Sequence, residues 1–126
     1  MNEPAGLKLL IVDDSARVRR LIKSMVAGLA CEVQECGDGA EALPVYNVHR
    51  PDFVLMDIQM GRTDGITTTR RIKEADPPAR IIIVTDDDQA DLREAARRAG
   101  ACAYVVKENL LELVRLLQGR PRATDC

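Results

Sequence analysis

Apolar residues cluster in four short runs along the chain. The runs cover residues 9–12, 53–56, 81–84 and 104–106. They lack polar alternation, which is typical of strands in a parallel sheet that is covered by helices on both faces. A fifth segment, residues 31–36, alternates between mostly apolar and mostly polar positions. This pattern predicts a half-exposed strand near a sheet edge.

Helical spacing appears between these strands. The first helix is predicted from one apolar face made by Val18, Leu21, Ile22, Met25, Val26 and Leu29. Asp14 or Ser15 can cap its start. Further helices are predicted over about 40–48, 66–75, 88–99 and 108–118, with a loop over 59–64 and Gly100 as a C-terminal cap.

Five strands alternating with five helices predict a doubly wound α/β fold with one parallel sheet. At 126 residues the chain is expected to form one domain over 1–126, with its core at about 7–118 and a polar tail at 119–126. We find no internal repeat or low-complexity stretch in it.

Composition and charge indicate which partners and which compartment to expect. The net charge of −2, with acids and bases interspersed, gives no reason to expect direct binding to nucleic acid or an anionic membrane. No apolar run approaches the ~20 residues of a membrane span, and the N-terminus lacks signal-peptide features, so a cytoplasmic protein is expected. The cysteines lack zinc-site spacing and are expected to be small, at least partly buried thiols; they are Cys31, Cys36, Cys102 and Cys126.

Five polar residues directly follow apolar runs: Asp13, Asp14, Asp57, Thr85 and Lys107. Because ligands bind beyond the carboxyl ends of parallel strands, these side chains are expected to converge on one pocket. Three adjacent carboxylates repel one another and raise at least one pKa, unless a hard cation such as Mg²⁺ lies between them.

The same set suits phosphoryl chemistry. Carboxylates can accept a phosphoryl group, and Asp57 stands alone at the end of a central strand, which favours it over the adjacent pair Asp13 and Asp14. Lys107 and Thr85 could then contact two of the phosphoryl oxygens, with Mg²⁺ serving the third.

The order of these motifs resembles the response-regulator receiver domain of two-component signalling, especially the single-domain chemotaxis type. The matching segments are residues 9–15, 38–43, 54–60, 64–65, 84–85 and 100–107. The resemblance implies a flavodoxin-like three-layer sandwich with strand order 2-1-3-4-5. It also implies that the chain is not an enzyme in the usual sense, but a phosphoacceptor that assists its own phosphotransfer and dephosphorylation.

The resemblance also implies roles for single residues. Asp57 would accept phosphate from a sensor histidine kinase or a histidine phosphotransfer protein. Mg²⁺ would be held by Asp13, Asp14 and Asp57 with the backbone carbonyl of Gln59.

Output would depend on a coupled pair of residues. Thr85 and Lys107 would contact the phosphoryl group, and Tyr104 would move inward as Thr85 is drawn to it. The downstream protein target would bind the face formed by the fourth helix, the fifth strand and the fifth helix.

Several positions depart from the family pattern. Gly61 stands where proline is common, so the loop after Asp57 should be looser. Glu108 stands where proline often follows the lysine. Asp86 follows Thr85 where a small residue is usual. We expect Gln59, Asp86 and Asp87 to modulate the rates of phosphorylation or dephosphorylation.

The last helix carries more apolar surface than one core face requires. Leu110, Leu111, Val114 and Leu117 are predicted to face the sheet, with Leu113 and Leu116 extending the stripe. A wide buried face and a docking or homodimer surface are both compatible with this pattern.

Other functions remain as alternatives. The chain could be the receiver half of a DNA-binding transcriptional regulator, although its length of 126 residues argues against that. An aspartate-nucleophile phosphatase would place an acid two residues after Asp57, where Gln59 stands. A receiver-like module that binds partners without phosphate is disfavoured by the complete set of five polar residues.

Overall fold

A computed structural model describes residues 6–60 and 63–119, without the side chain of Cys31. The strands are β1 Leu7–Val12, β2 Ala30–Cys36, β3 Phe53–Met56, β4 Gln59–Met60, β5 Thr63–Asp64, β6 Ile81–Thr85 and β7 Ala103–Val106. The helices are α1 Ala16–Val26, α2 Gly39–His49, α3 Gly65–Ala75, α4 Ala90–Ala99 and α5 Leu110–Gly119, with a 3₁₀ turn at Lys107–Asn109. The alternation of strands and helices predicted from the sequence is confirmed.

Five strands form one parallel sheet in the order β2-β1-β3-β6-β7. Counted over these long strands, the order is 2-1-3-4-5, as the family resemblance implied. The segment β2 lies at one edge, in agreement with its alternating sequence. Where a plain loop was predicted, β4 and β5 instead pair antiparallel, with Gln59 opposite Asp64 and Met60 opposite Thr63.

The register of the sheet places the carboxyl ends of neighbouring strands at the same height. Val12 pairs with Met56, and the Asp57 N–H donates to the Val12 carbonyl at 2.9 Å. Asp13 and Asp57 therefore leave neighbouring strands at the same height. On the other side of β3, Thr85 is the last residue of β6 and pairs with Val106, the last residue of β7.

Alternate residues of the buried strands face two separate cores, which makes the fold a three-layer sandwich. On one face Leu10, Val54 and Ile83 pack with residues of α2, α3 and α4. On the other face Ile11 and Leu55 pack with residues of α1 and α5. Burial on both faces explains why the runs at residues 9–12, 53–56 and 81–84 lack polar positions.

The start of α1 and the end of α4 are capped by residues adjacent to them in the chain. Ser15 caps α1, accepting from the Val18 N–H at 3.2 Å, so of the two candidates it is Ser15 rather than Asp14 that caps. Gly100 ends α4 in the left-handed conformation (φ 108°), which confirms the predicted glycine cap.

Two apolar faces differ from the predictions. Helix α1 ends at Val26, and Leu21 is 50% exposed although it was predicted to face the core. In α5 the prediction of Leu111 as a core residue is wrong, because this side chain is 61% exposed. The 3₁₀ turn delays the start of α5, and the buried stripe is Leu110, Leu113 and Leu117.

Some expectations lie outside the described residues, namely those for Gly61, Cys126 and the tail after residue 119. Cys36 is buried and Cys102 is partly buried, and neither forms a disulfide. None of the helices in residues 6–60 and 63–119 has the length and hydrophobicity that a bilayer-spanning segment needs.

Candidate functional site

Three carboxylates meet at the carboxyl edge of the sheet. Asp13, Asp14 and Asp57 each place one oxygen so that the three atoms lie within 4.8 Å of one another. Asp13 and Asp57 are buried, at 2% and 5% exposure, whereas Asp14 is exposed. The predicted convergence of the acids is therefore present in the structure.

Lys107 extends from the end of β7 toward this group. Its Nζ lies 2.9 Å from Oδ2 of Asp13 and 3.5 Å from Oδ2 of Asp57. Burial opposes the charge on Lys107, but the hydrogen bond to Asp13 and the charge of Asp57 outweigh burial, so the pKa of Lys107 is raised. The side chain is therefore a cation at any physiological pH.

The pocket nevertheless keeps an excess of negative charge. Burial, followed by the charge of Asp13, raises the pKa of Asp57 from 3.8 to about 6, against the opposing effects of Lys107 and Thr85. A hard divalent cation would relieve this repulsion, since carboxylate oxygens are its preferred ligands. Donor type, spacing and charge thus fit Mg²⁺.

Thr85 contributes a hydroxyl beside the acids. The residue is 1% exposed, and its Oγ1 has no hydrogen-bond partner among residues 6–60 and 63–119. It lies close enough to lower the pKa of Asp57 without completing a hydrogen bond to it. A buried polar atom without a partner is rare, and this hydroxyl is available as a donor beside the carboxylates.

Two contacts orient Asp13. Its Oδ1 accepts from the Ser15 N–H at 2.9 Å, and its backbone carbonyl accepts from the Arg19 guanidinium at 2.5 Å. Arg19 is in turn fixed by Glu35 of β2 at 2.9 Å. Sequence reasoning missed Arg19. The only available signal was its position one turn into α1, where a long side chain can reach back to the strand end.

Gly65 determines how the chain leaves Asp57. A Cβ at this position would lie 1.9 Å from the carbonyl oxygen of Asp57, so no other residue fits without a shift. The Gly65 N–H donates to the Ile58 carbonyl at 2.8 Å, which closes the segment between β3 and α3. Gln59 lies on β4 within this segment, and its side chain is exposed.

The three acids after Thr85 have different surroundings. Asp86 is exposed, and its charge contributes to the raised pKa of Lys107. Asp87 offers its backbone carbonyl to the Tyr104 hydroxyl at 2.5 Å. Asp88 forms an ion pair with Arg93 of α4 at 2.6 Å.

Tyr104 is held between these groups. Its ring lies 4.6 Å from the Arg93 guanidinium, and burial followed by the charge of Asp87 raises its pKa. Arg93 and Tyr104 also line a groove of about 330 Å³ between α4 and β7. The predicted switch residue thus joins the segment after β6 to the surface of α4 and β7.

Comparisons with known proteins agree with the family resemblance seen in the sequence. The family described as the response regulator receiver domain matches residues 9–118. The chain is 42% identical over 101 residues to the chemotaxis protein CheY of Bacillus subtilis, covering 79% of this chain and 84% of that protein. It is also 42% identical over 101 residues to the transcriptional regulatory protein PdtaR of Mycobacterium tuberculosis, covering 79% of this chain but 49% of that protein.

Among solved structures, the CheX–CheY–BeF3–Mg complex of Borrelia burgdorferi is similar, with a TM-score of 0.82 and 29% identity. That match covers 94% of this chain and 92% of the other. The chain therefore belongs to the response regulator receiver domain family of two-component signalling, whose members act as phosphorylation-dependent switches.

Proposed function

We propose that Asp57 accepts a phosphoryl group from a sensor histidine kinase or a histidine phosphotransfer protein, in a reaction that depends on Mg²⁺. The observation that carries this proposal is the meeting of three carboxylates within 4.8 Å, with the Lys107 ammonium 2.9 and 3.5 Å from two of them. The partnerless hydroxyl of Thr85 adds a donor at the same place.

Receiver domains bind Mg²⁺ at an acidic pocket, and Asp13, Asp14, Asp57 and the Gln59 carbonyl are the groups that would hold it here. When bound, the ion offsets negative charge on the carboxylates and on the transferring phosphoryl group. The buried position of Asp13 and Asp57 strengthens this electrostatic effect, because little water screens it.

Only a few side chains of the protein take part in the transfer. A carboxylate oxygen of Asp57 attacks phosphorus and forms a P–O bond. The P–N bond to the donor histidine breaks, and its electron pair returns to the imidazole, which takes up a proton. Lys107 and Thr85 donate to two phosphoryl oxygens during this step, and positioned donors of this kind stabilise the developing charge.

Water later hydrolyses the acyl phosphate by attacking phosphorus. The P–O bond to Asp57 breaks, Asp57 returns as a carboxylate, and inorganic phosphate leaves. We propose that the domain assists this step and that Gln59, Asp86 and Asp87 modulate its rate. Asp86 is exposed and affects Lys107, so its charge can influence both an incoming anionic donor and the phosphorylated state.

Output would depend on the path from Thr85 to Tyr104. When Thr85 turns to the phosphoryl group, the segment that contains Asp87 shifts, and Tyr104 loses its present hydrogen-bond acceptor. The face of α4, β7 and α5 would then bind a downstream protein target. A cytoplasmic location, homodimer formation and a single domain over 1–126 stay predictions.

Labelling with a small phosphodonor such as acetyl phosphate tests this proposal. Wild type should be labelled only when Mg²⁺ is present, and Asp57→Asn should not be labelled. Asp52→Asn is a matched control, because Asp52 accepts from the Lys8 N–H at the opposite edge of the sheet. Labelling without Mg²⁺, or labelling of Asp57→Asn, would overturn the assignment.

A second candidate is the receiver part of a longer transcriptional regulator. It is favoured by the match to the Mycobacterium tuberculosis regulator, of which this chain covers 49%. The mass of the protein isolated from its native cells distinguishes the two, since the chain alone has a mass of 13.9 kDa. A larger native mass would favour the regulator.

A further inference from the structure

The segment between β3 and α3 carries Gln59, and it is attached to the rest of the domain at several points. The Gly65 N–H closes its base onto the Ile58 carbonyl at 2.8 Å. Within the segment, Gln59 pairs with Asp64 and Met60 pairs with Thr63. The position of the Gln59 backbone therefore depends on what holds β5.

A hydrogen bond from outside the segment holds β5. The Thr63 hydroxyl accepts from the Gly39 N–H, the first residue of α2, at 2.9 Å. The first N–H groups of a helix have no partner within the helix. Asp38 takes the next two, from Ala40 at 2.7 Å and Glu41 at 3.3 Å, and Thr63 takes that of Gly39.

Close packing reinforces this joint. A Cβ at Gly39 would lie 2.6 Å from Oγ1 of Thr63 and 2.3 Å from Oγ1 of Thr68, so the start of α2 lies directly against both threonines. Thr68 is 2% exposed and donates to the Asp64 carbonyl at 3.0 Å. The hydroxyl of Thr63 thus has a defined position between α2 and the paired strands.

We infer that Thr63 is a positioning residue for the magnesium site. Its hydroxyl anchors β5 to the N-terminus of α2, and through β5 it holds the paired strand β4 with the Gln59 carbonyl. This inference rests on the proposed role of that carbonyl as a ligand of Mg²⁺. Without the anchor, the segment samples other conformations, and the apparent affinity for the ion falls in proportion to the fraction that is competent to bind.

The test compares Mg²⁺ binding by isothermal titration calorimetry in wild type, Thr63→Val and Thr63→Ser. Thr63→Val keeps the shape but removes the acceptor, so its dissociation constant for Mg²⁺ should rise by about 3- to 10-fold. Thr63→Ser keeps the hydroxyl and should bind as wild type does. Thr69→Val is the control, because the buried Thr69 hydroxyl has no hydrogen-bond partner in the part of the chain that the structure describes.

Phosphodonor labelling supplies a second readout. In Thr63→Val the Mg²⁺ concentration for half-maximal labelling should rise, while the rate at saturating Mg²⁺ should match wild type. General damage to the fold would lower the rate even at saturating Mg²⁺, and more of the ion would not restore it.

The outcomes separate this inference from the proposed function. Wild type that binds no Mg²⁺ would overturn both. Wild type that binds Mg²⁺ alongside a Thr63→Val protein with the same dissociation constant would overturn only the role of Thr63. Equal weakening in Thr63→Val and Thr63→Ser would also overturn it, because the hydroxyl would then not be responsible.

Discussion

Lys107 lies closer to Asp13 than to Asp57, with Nζ at 2.9 Å from the first carboxylate and 3.5 Å from the second. In this arrangement the ammonium already offsets part of the negative charge of the carboxylates, which a metal ion would otherwise offset. A phosphoryl group on Asp57 would offer a new partner with more negative charge. If Asp57 accepts a phosphoryl group as proposed, Lys107 should exchange Asp13 for that group.

Replacement of Lys107 by Met should change metal binding and chemistry in opposite directions. Without the ammonium the pocket is more negative, so the dissociation constant for Mg²⁺ should fall by roughly tenfold, about 1.4 kcal/mol. Labelling at saturating Mg²⁺ should slow by about 10²-fold, because a phosphoryl oxygen loses its donor. Calorimetry and labelling measure the two effects, and weaker Mg²⁺ binding in the variant would contradict this account.

Asp57→Asn should stabilise the metal-free protein at neutral pH. The folded-state pKa of Asp57 is raised to about 6 from 3.8, so the folded protein binds this proton more tightly than the unfolded chain does. The ionised carboxylate therefore costs on the order of 3 kcal/mol above pH 6. Urea unfolding in EDTA, followed by circular dichroism, should show this gain in Asp57→Asn at pH 7.5.

The pH dependence gives the control for that result. The cost of Asp57 fades as pH falls through about 6 and is absent below 3.8, where the carboxyl is protonated in both states. The stability difference between Asp57→Asn and wild type should shrink accordingly between pH 7 and pH 4. A difference that is constant over this range would show that repulsion between the carboxylates is not its source.

Asp86→Ala should accelerate labelling by an anionic phosphodonor. Asp86 is exposed near Lys107, where its charge repels the donor and competes for the ammonium. An increase of roughly 2- to 5-fold at low ionic strength, falling as salt is added, is expected from the loss of one exposed charge. Asp91→Ala in the first turn of α4 is the matched control. Unchanged rates of labelling and of dephosphorylation in Asp86→Ala would reject its predicted role.

Gly65→Ala should disturb both the fold and the site. The new Cβ would lie 1.9 Å from the backbone carbonyl oxygen of Asp57, which must move to make room. A loss of about 2–4 kcal/mol in the free energy of unfolding is expected from such overpacking. Gly28→Ala is the control, since apart from its chain neighbours no atom of the described residues lies within 4 Å of a Cβ there. Equal stability of the two variants by urea unfolding would contradict the steric argument.

The sequence by itself determined the fold class and which charged residues meet at the carboxyl edge of the sheet. Strands covered on both faces require uninterrupted apolar runs, and the ends of parallel strands share one edge of the sheet. For that reason Asp13, Asp57 and Lys107 could be assigned to one pocket before any distance was known. The left-handed cap at Gly100 was also predictable, because it depends on local backbone geometry alone.

Only the tertiary structure decided the contacts between residues far apart in the chain. The guanidinium of Arg19 on the Asp13 carbonyl, and the hydroxyl of Thr63 on the Gly39 N–H, depend on how helices sit against the sheet. Helical periodicity could not show that Leu21 is exposed, since the buried face is set by the rotation of α1 in its packed position. Local patterns determine which elements form, whereas the positions of these side chains follow from packing among all three layers.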